Sequence, residues 1–482
     1  MNFGIVIKVL GILMMIESVL MLPSLVISLY SKGIDSNGFI IAMITSLIIG
    51  FIFSRSRSDR QRISVRDGLA IVSLGWILAS LVGALPLYIS DITSSFIDAF
   101  FESVSGFTAT GASVLEDVES LPKGIVFWRS FSHWIGGMGI LVFTVALLPA
   151  LGIGGFQIYK AESPGPKAGK LVPRIRDTAI ILYKTYLSLT LLNILFLLIG
   201  GMGLFDSILY AFSTVGTGGF ATKNNSIAYY DSSYIHVITS IFMILAGVNF
   251  GLYYSIFSGK ITRFFKDEEL KLYLGVILFS SLAISLNLYF TNYANGAISL
   301  RDSFFHVSSL ISTTGFTTFD FEMWPSFSKG ILITLMLIGG SAGSTAGGIK
   351  IARVTVMFKL IKREIVRIFH PRAITPIKHN GKAISNETIS GIYSFISLYI
   401  AIFIISTLLV SLEGVDLGTS ASTVVATLGN IGIGKGFSGL TSEFAAYSQQ
   451  TKLLFSVLML LGRLELFTIV ALLAPKNWRG EI

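Results

Sequence analysis

The sequence predicts an all-α integral membrane protein in which four tandem repeats of span, pore helix, filter loop and span surround one pore, preceded by an extra two-span segment. Three observations predict it. The chain has 482 residues, of which 52% are apolar and only 13% charged, and its mean hydropathy is +0.75, more apolar side chain than a soluble core buries. Ten apolar runs are long enough to cross about 30 Å of hydrocarbon. Between them, four shorter apolar segments each run up to a glycine and recur about every hundred residues.

The ten runs lie near 4–29, 38–54, 68–90, 124–148, 178–203, 234–258, 272–294, 328–349, 388–412 and 451–474. The first is too long for a cleavable signal and is retained as a span. Most of the 36 Lys and Arg fall in the segments 55–66, 160–176, 260–271, 350–382 and 476–479. With both termini in the cytoplasm, ten spans place all five on the cytoplasmic side of the inner membrane, as the positive-inside rule expects. This divides the chain into an N-terminal two-span segment, 1–66, and pore repeats at 67–177, 178–271, 272–382 and 383–482.

The short segments follow the third, fifth, seventh and ninth spans: Asp98 to Thr110, Asp206 to Gly218, Asp302 to Thr314 and Thr419 to Ile431. As helices they reach about 20 Å, enough to enter a bilayer but not to cross it. Asp or Thr at the first position reads as an N-cap. They end in Thr108-Ala109-Thr110-Gly111, Val215-Gly216-Thr217-Gly218-Gly219, Ser312-Thr313-Thr314-Gly315 and Gly429-Asn430-Ile431-Gly432-Ile433-Gly434. The last echoes the Thr-Val-Gly-Tyr-Gly filter of K⁺ channels. K⁺ sheds its water only where other oxygens replace it, and a ring of backbone carbonyls does so without fixed charge. Glycine supplies the φ values that aim successive carbonyls one way. The expected filter residues are Ala109, Thr110 and Gly111; Thr217, Gly218 and Gly219; Thr313, Thr314 and Gly315; and Asn430, Ile431 and Gly432. Gly216 and Gly429 offer rival registers for the second and fourth loops. A single T-x-G tripeptide means little, since glycines in membrane helices also serve close packing; four at matching places in a repeat carry the reading.

These loops, with Phe100-Phe101-Glu102-Ser103-Val104-Ser105-Gly106, Trp134-Ile135-Gly136-Gly137-Met138-Gly139, the glycine-rich run from Gly339 to Lys350, and Gly462-Arg463-Leu464-Glu465, make the chain resemble the TrkH branch of the Trk/Ktr superfamily of K⁺ uptake proteins over essentially its whole length. The extra N-terminal pair of spans is similar to TrkH and lacking in the shorter KtrB type. The resemblance implies a four-repeat pore in one subunit, a homodimer, and a cytoplasmic nucleotide-binding regulatory partner of the TrkA type. It also gives the run Gly339 to Gly348 the role of an intramembrane gate below the filter.

That run interrupts the eighth span with residues of little bulk or helix propensity, and broken helices at membrane depth are typical of transport pathways. Close helix packing is the plainer reading of such small residues. The gating candidates are Gly339, Gly340, Gly343, Ser344, Thr345, Gly347, Gly348, Lys350 and Arg463. Arg463 sits near the middle of the last span, where a charge costs about 2.5 to 3.5 kcal/mol. Contact with carbonyls of the 339–348 loop, or a barrier in the pore, accounts for it. Glu465, two residues on, points elsewhere on a helix. The basic segment 350–382 suits an acidic regulator or lipid headgroups equally, and Lys160 to Arg176 is a second candidate contact.

Other chemistry finds little support. No cysteine is present and the five histidines show no metal-binding spacing, so a thiol nucleophile, an iron-sulfur cluster and metal hydrolysis are disfavoured. Gly216 to Gly219 follows no strand and precedes no Walker lysine, so no organic cofactor is expected, and the net charge of +9 is read, in a membrane protein, as loop placement rather than nucleic-acid binding. Glu102 and Asp98 are candidates for drawing cations to the outer mouth, with a plain N-cap the favoured role for Asp98. The leading function is K⁺ uptake through a channel-like pore. A secondary transporter coupling K⁺ to Na⁺ or H⁺ keeps the same fold; a multi-span membrane enzyme is the remote alternative, for which no convergent acid, base or metal set can be assembled.

Overall fold

The structure is a computed structural model and describes residues 1–56, 64–139, 175–257, 259, 261–291, 293, 295–372, 375–433 and 443–473. Without water in hydrocarbon, the apolar runs pair their backbones internally and become helices. Phe3–Leu20 and Leu22–Tyr30 form the first span, with Pro23 starting the second piece, and Ser36–Ser54 returns beside it. The two cross at Gly11 and Gly50, where a methyl group on either would run into the other helix's backbone. Four more unbroken spans, Val65–Ile89, Ile175–Ile199, Glu268–Phe290 and Asn386–Ser411, each open one repeat.

After each opening span comes a short helix: Phe96–Phe107, Leu204–Val215, Gly296–Ile311 and Leu417–Leu428. These begin and end a few residues earlier than the sequence windows. Their caps are Ser95, Gly203, Asn295 and Asp416. Asp98, expected as an N-cap, is instead in the first turn: the Ser95 hydroxyl accepts from Asp98 N at 3.1 Å, and a carboxylate there still meets the positive end of the helix dipole.

Each repeat closes with a second helix: Lys123–Gly137, Ser233–Ala246, Ser326–Ile338 and Gln449–Arg463. Only the eighth span was expected to break, yet all four of these stop after 13 to 15 residues, about 20 Å. The second turns by 92° into Phe250–Phe257. The third gives way to an irregular loop before Ile351–Phe369. The fourth passes through Glu465, at a φ of 56°, into Leu466–Leu473. Apolarity on both sides of a break hides it from a hydropathy scan. The far end of the span expected at 124–148 lies outside the described residues, as do most of the basic segments 55–66 and 160–176, all of 476–479, and Gly434.

The four repeats interlock in a cycle. Each second helix packs on the short helix of the following repeat: Lys123–Gly137 on Leu204–Val215, Ser233–Ala246 on Gly296–Ile311, Ser326–Ile338 on Leu417–Leu428, and Gln449–Arg463 back on Phe96–Phe107. Gly50→Leu should force the N-terminal pair apart at about 1 to 3 kcal/mol. A thermal-unfolding series in detergent is expected to show a lower midpoint for that variant than for a lipid-facing Ile48→Leu control.

Candidate functional site

The sequence of each short helix ends with small polar residues and a glycine, and all four ends fold alike. Ala109, Thr217, Thr313 and Asn430 have φ of 52°, 55°, 57° and 54°, and Gly111, Gly219, Gly315 and Gly432 have 86°, 81°, 82° and 78°. The N–H of Thr110 bonds the Ser105 carbonyl at 2.9 Å; Gly218, Thr314 and Ile431 bond Ser213, Ser309 and Ala426 at 2.8 Å in the same way. Ala109, Thr217, Thr313 and Asn430 bond three residues back, completing the Schellman motif. This geometry sets the register: Gly216 and Gly429 are right-handed C-cap residues, and Gly219 and Gly432 occupy the positions equivalent to Gly111 and Gly315.

Left-handed residues on either side of one that is not turn successive carbonyls toward a common side. Glycine is normal at the first left-handed position of a Schellman motif; here Ala, two Thr and Asn take it, at about 1 to 2 kcal/mol each. Neighbours hold two of them there. The Thr313 hydroxyl accepts from Gly347 N at 2.7 Å. The Asn430 amide donates to the Thr110 hydroxyl and the Met459 carbonyl, both at 2.9 Å.

The loops meet in a ring. A methyl group on Gly111 would run into the carbonyl oxygen of Gly218, one on Gly219 into that of Thr314, one on Gly315 into that of Ile431, and one on Gly432 into that of Thr110. The residue before each glycine thus presents its carbonyl beside the glycine of a neighbouring loop, and the fourth contact returns to the first. The pore helices aim their C-termini, where the helix dipole is negative, at this ring.

Just past those C-termini lies the Gly339–Gly348 loop. Its Thr345 hydroxyl lies 3.1 Å from the carbonyls of Val215 and Ala246, Gly347 binds Thr313, and a side chain on Gly347 would strike the Gly429 carbonyl. A residue with any bulk at Gly347 has no room. Arg463 donates to the Thr345 carbonyl at 2.7 Å and to Gly137 O at 2.6 Å, with a further bond to Gly136 O. The loop and Arg463 together therefore touch all four repeats. Lys350, at a φ of 80°, is buried and folds its ammonium back on the Ala346 carbonyl. Gly339, Gly343 and Gly348 are all left-handed; Gly340 and Ser344 pack within the loop, Ser344 donating to Ser341 O at 2.6 Å.

Sequence reading missed three charged residues beside these elements. Arg353 donates to Glu465 at 2.6 Å and stacks on Phe395, which gives Glu465 a partner other than Arg463. Glu269 meets the tip of the loop. Arg129 donates to Glu102 at 2.7 Å with both side chains buried, which corrects the idea that Glu102 faces the outer mouth. Instead Glu102 accepts from Ser113 and from Val114 N at 3.1 Å, fixing the chain just after the first filter loop, while Arg129 lies over Phe220 just after the second. No periodicity signals a pair whose members stand on different helices. Beyond the ring, Asn224 ties the first two repeats, accepting from Val118 N and donating to Asp117, each at 2.8 Å. That bond holds the Asp117 carboxyl below the usual carboxylate range. His306 is packed and bonded to the carbonyls of Asp302 and Phe319.

The sequence model of TrkH, described as a cation transport protein, matches residues 35–479. The chain belongs to the TrkH family. The Trk system potassium uptake protein TrkH of Salmonella typhimurium is 39% identical over 99% of this chain and 100% of its own length. TrkG of Escherichia coli, also a Trk system potassium uptake protein, is 36% identical over 98% of this chain and 97% of its own. The crystal structure of the potassium transporter TrkH from Vibrio parahaemolyticus matches with a TM-score of 0.89 at 35% identity, covering 99% of this chain and 100% of that one. The fold is therefore the TrkH fold, and these relatives are named as potassium uptake or transport proteins, not as enzymes.

Within this TrkH fold, breaking the buried Glu102–Arg129 pair leaves one charge uncompensated, at about 3 to 5 kcal/mol. Glu102→Ala is expected to lower the thermal midpoint in detergent markedly, and Glu102→Gln, which keeps an acceptor, by less.

Proposed function

We propose that the chain mediates K⁺ uptake across the cytoplasmic membrane through a channel-like pore whose filter is the four-loop ring. The observation that carries this reading is the closed cycle in which each filter glycine abuts the carbonyl of a neighbouring loop. Such a ring supplies oxygens in place of hydration water without fixed charge. The names of the relatives as potassium uptake proteins support K⁺ as the ion. A membrane potential of 100 mV supplies about 2.3 kcal/mol per charge, so influx needs no ATP hydrolysis by this chain. The four loops differ in sequence, so discrimination is looser than in a symmetric channel, and Rb⁺ and some Na⁺ pass.

The Gly339–Gly348 loop, with Lys350 and Arg463, acts as the gate. It lies against the C-terminal ends of the pore helices and holds a guanidinium there, which repels a cation leaving the ring. Opening requires the loop to move aside, and its small residues allow that. In this reading the pore repeats are 67–177, 178–271, 272–382 and 383–482 after a 1–66 segment, both termini are cytoplasmic, and the protein works as a homodimer with a TrkA-type nucleotide-binding regulator.

Two experiments test these assignments. In liposomes loaded with K⁺, ⁸⁶Rb⁺ uptake by the purified protein should be competed by K⁺ far better than by Na⁺ or Li⁺. Gly315→Ser or Gly432→Ser should let Na⁺ compete, because a side chain there displaces the neighbouring carbonyl; unchanged competition in both removes the ring from selectivity. For the gate, Arg463→Ala should raise unregulated Rb⁺ influx by about tenfold or more, the effect of losing a charged hydrogen-bonded contact. A flux equal to that of the native protein sinks the role given to Arg463.

A further inference from the structure

The loop's seat is not the filter alone. It also rests on the kink between Ser233–Ala246 and Phe250–Phe257. Ser341 N donates to Gly247 O at 2.9 Å, Phe250 N donates to Gly343 O at 3.0 Å, and the Thr345 hydroxyl reaches Ala246 O. These are neutral bonds. A side chain from a third element completes the seat: Glu269, the second residue of Glu268–Phe290, is 5% exposed and its Oε1 accepts from Ala342 N at 2.6 Å. Glu269 thus grips the loop ahead of Ile351–Phe369, the helix that follows it. The adjoining Glu268 pairs with Lys359 further along that helix, so two consecutive acids at one helix start fix both the loop and the helix that follows it.

We propose that Glu269 is the positioning residue that keeps the gate loop in its seat. The proposal rests on the gate reading above. Ala342 N sits at the loop tip, and without the Glu269 oxygen it has to find another acceptor, which it gains by leaving the seat for water. The bond's loss therefore favours the displaced loop by a factor on the order of ten. Sequence reading does not find this residue, because Asp267-Glu268-Glu269 looks like an ordinary acidic first turn of a helix.

The test compares ⁸⁶Rb⁺ influx into liposomes carrying the native chain, Glu269→Ala, Glu269→Gln and a chain lacking residues 341–343, all without a regulator. Glu269→Ala should raise influx on the order of tenfold, and Glu269→Gln, which keeps the Oε1 acceptor, should stay within about threefold of native. Because the chain has no cysteine, Ser344→Cys gives a single labelling position. Its reaction with a charged methanethiosulfonate should be slow in the native background and accelerated with Glu269→Ala. Should Glu269→Ala not reconstitute, Ala342→Pro, which removes the donor, takes its place with the same expectation. Native-like influx and labelling with Glu269→Ala, alongside a leak from the shortened chain, overturn the proposal and leave the gate standing. Equal leaks from Glu269→Gln and Glu269→Ala overturn the acceptor role. A shortened chain that does not leak refutes the gate itself.

Discussion

A carbonyl oxygen can stand in for an ion's water only if no N–H already holds it, and inside a bilayer an oxygen left without a partner is costly. The chain meets this constraint four times over with one device. A short helix ends in a Schellman turn that satisfies its last carbonyls internally. The next two or three peptides run free, and a glycine lets the neighbouring loop come within contact distance. Loops at this depth persist because they are enclosed: each is walled by the second helix of the preceding repeat, and the strained Thr313 and Asn430 are held from outside the turn.

The same constraint explains why the second helices stop short. Four helices that enclose a set of exposed carbonyls cannot also run straight past their ends without filling the axis with side chains. In the third repeat the freed chain becomes Gly339–Gly348, whose residues are small because the carbonyls of Val215, Ala246 and Gly429 lie directly against it. Arg463 is placed where it finds several backbone carbonyls at once, which compensates a charge that lipid would reject. Its hydrogen bonds join the first, third and fourth repeats at one point.

Much of this could be read from the residues. Hydropathy located the helices, and recurrence of glycine at Gly111, Gly219, Gly315 and Gly432 singled out the loops that meet in the ring. Three things resisted. The breaks in the first, second and fourth closing helices escape because both sides of each are apolar, and the fourth turns at Glu465, with a backbone angle that no composition rule assigns to glutamate. The short helices begin a few residues before the acids or threonine chosen as their caps, since Ser95 and Asp416 cap equally well. Contacts between distant helices, such as Glu102 with Arg129 or Glu269 with Ala342, leave no trace in local spacing. The register of the second and fourth loops is set by backbone angles and the Schellman hydrogen bonds, which composition does not show: Gly216 and Gly429 are chemically as suitable as their neighbours.

The cycle of repeats has a seam. Three junctions of the ring join repeats that follow one another along the chain, but the last brings the fourth back to the first, through Asn430 on Thr110, Lys452 on Asp98 at 2.8 Å, and Gln449–Arg463 against Phe96–Phe107. As the chain leaves the ribosome from its N-terminus, the first three repeats can assemble only as a horseshoe, with Thr110 and Gly315 facing the gap that Ile431 and Gly432 later fill. Synthesis of the final helices shuts that gap. A prematurely terminated product consequently lacks one side of the ring altogether rather than carrying a weakened one.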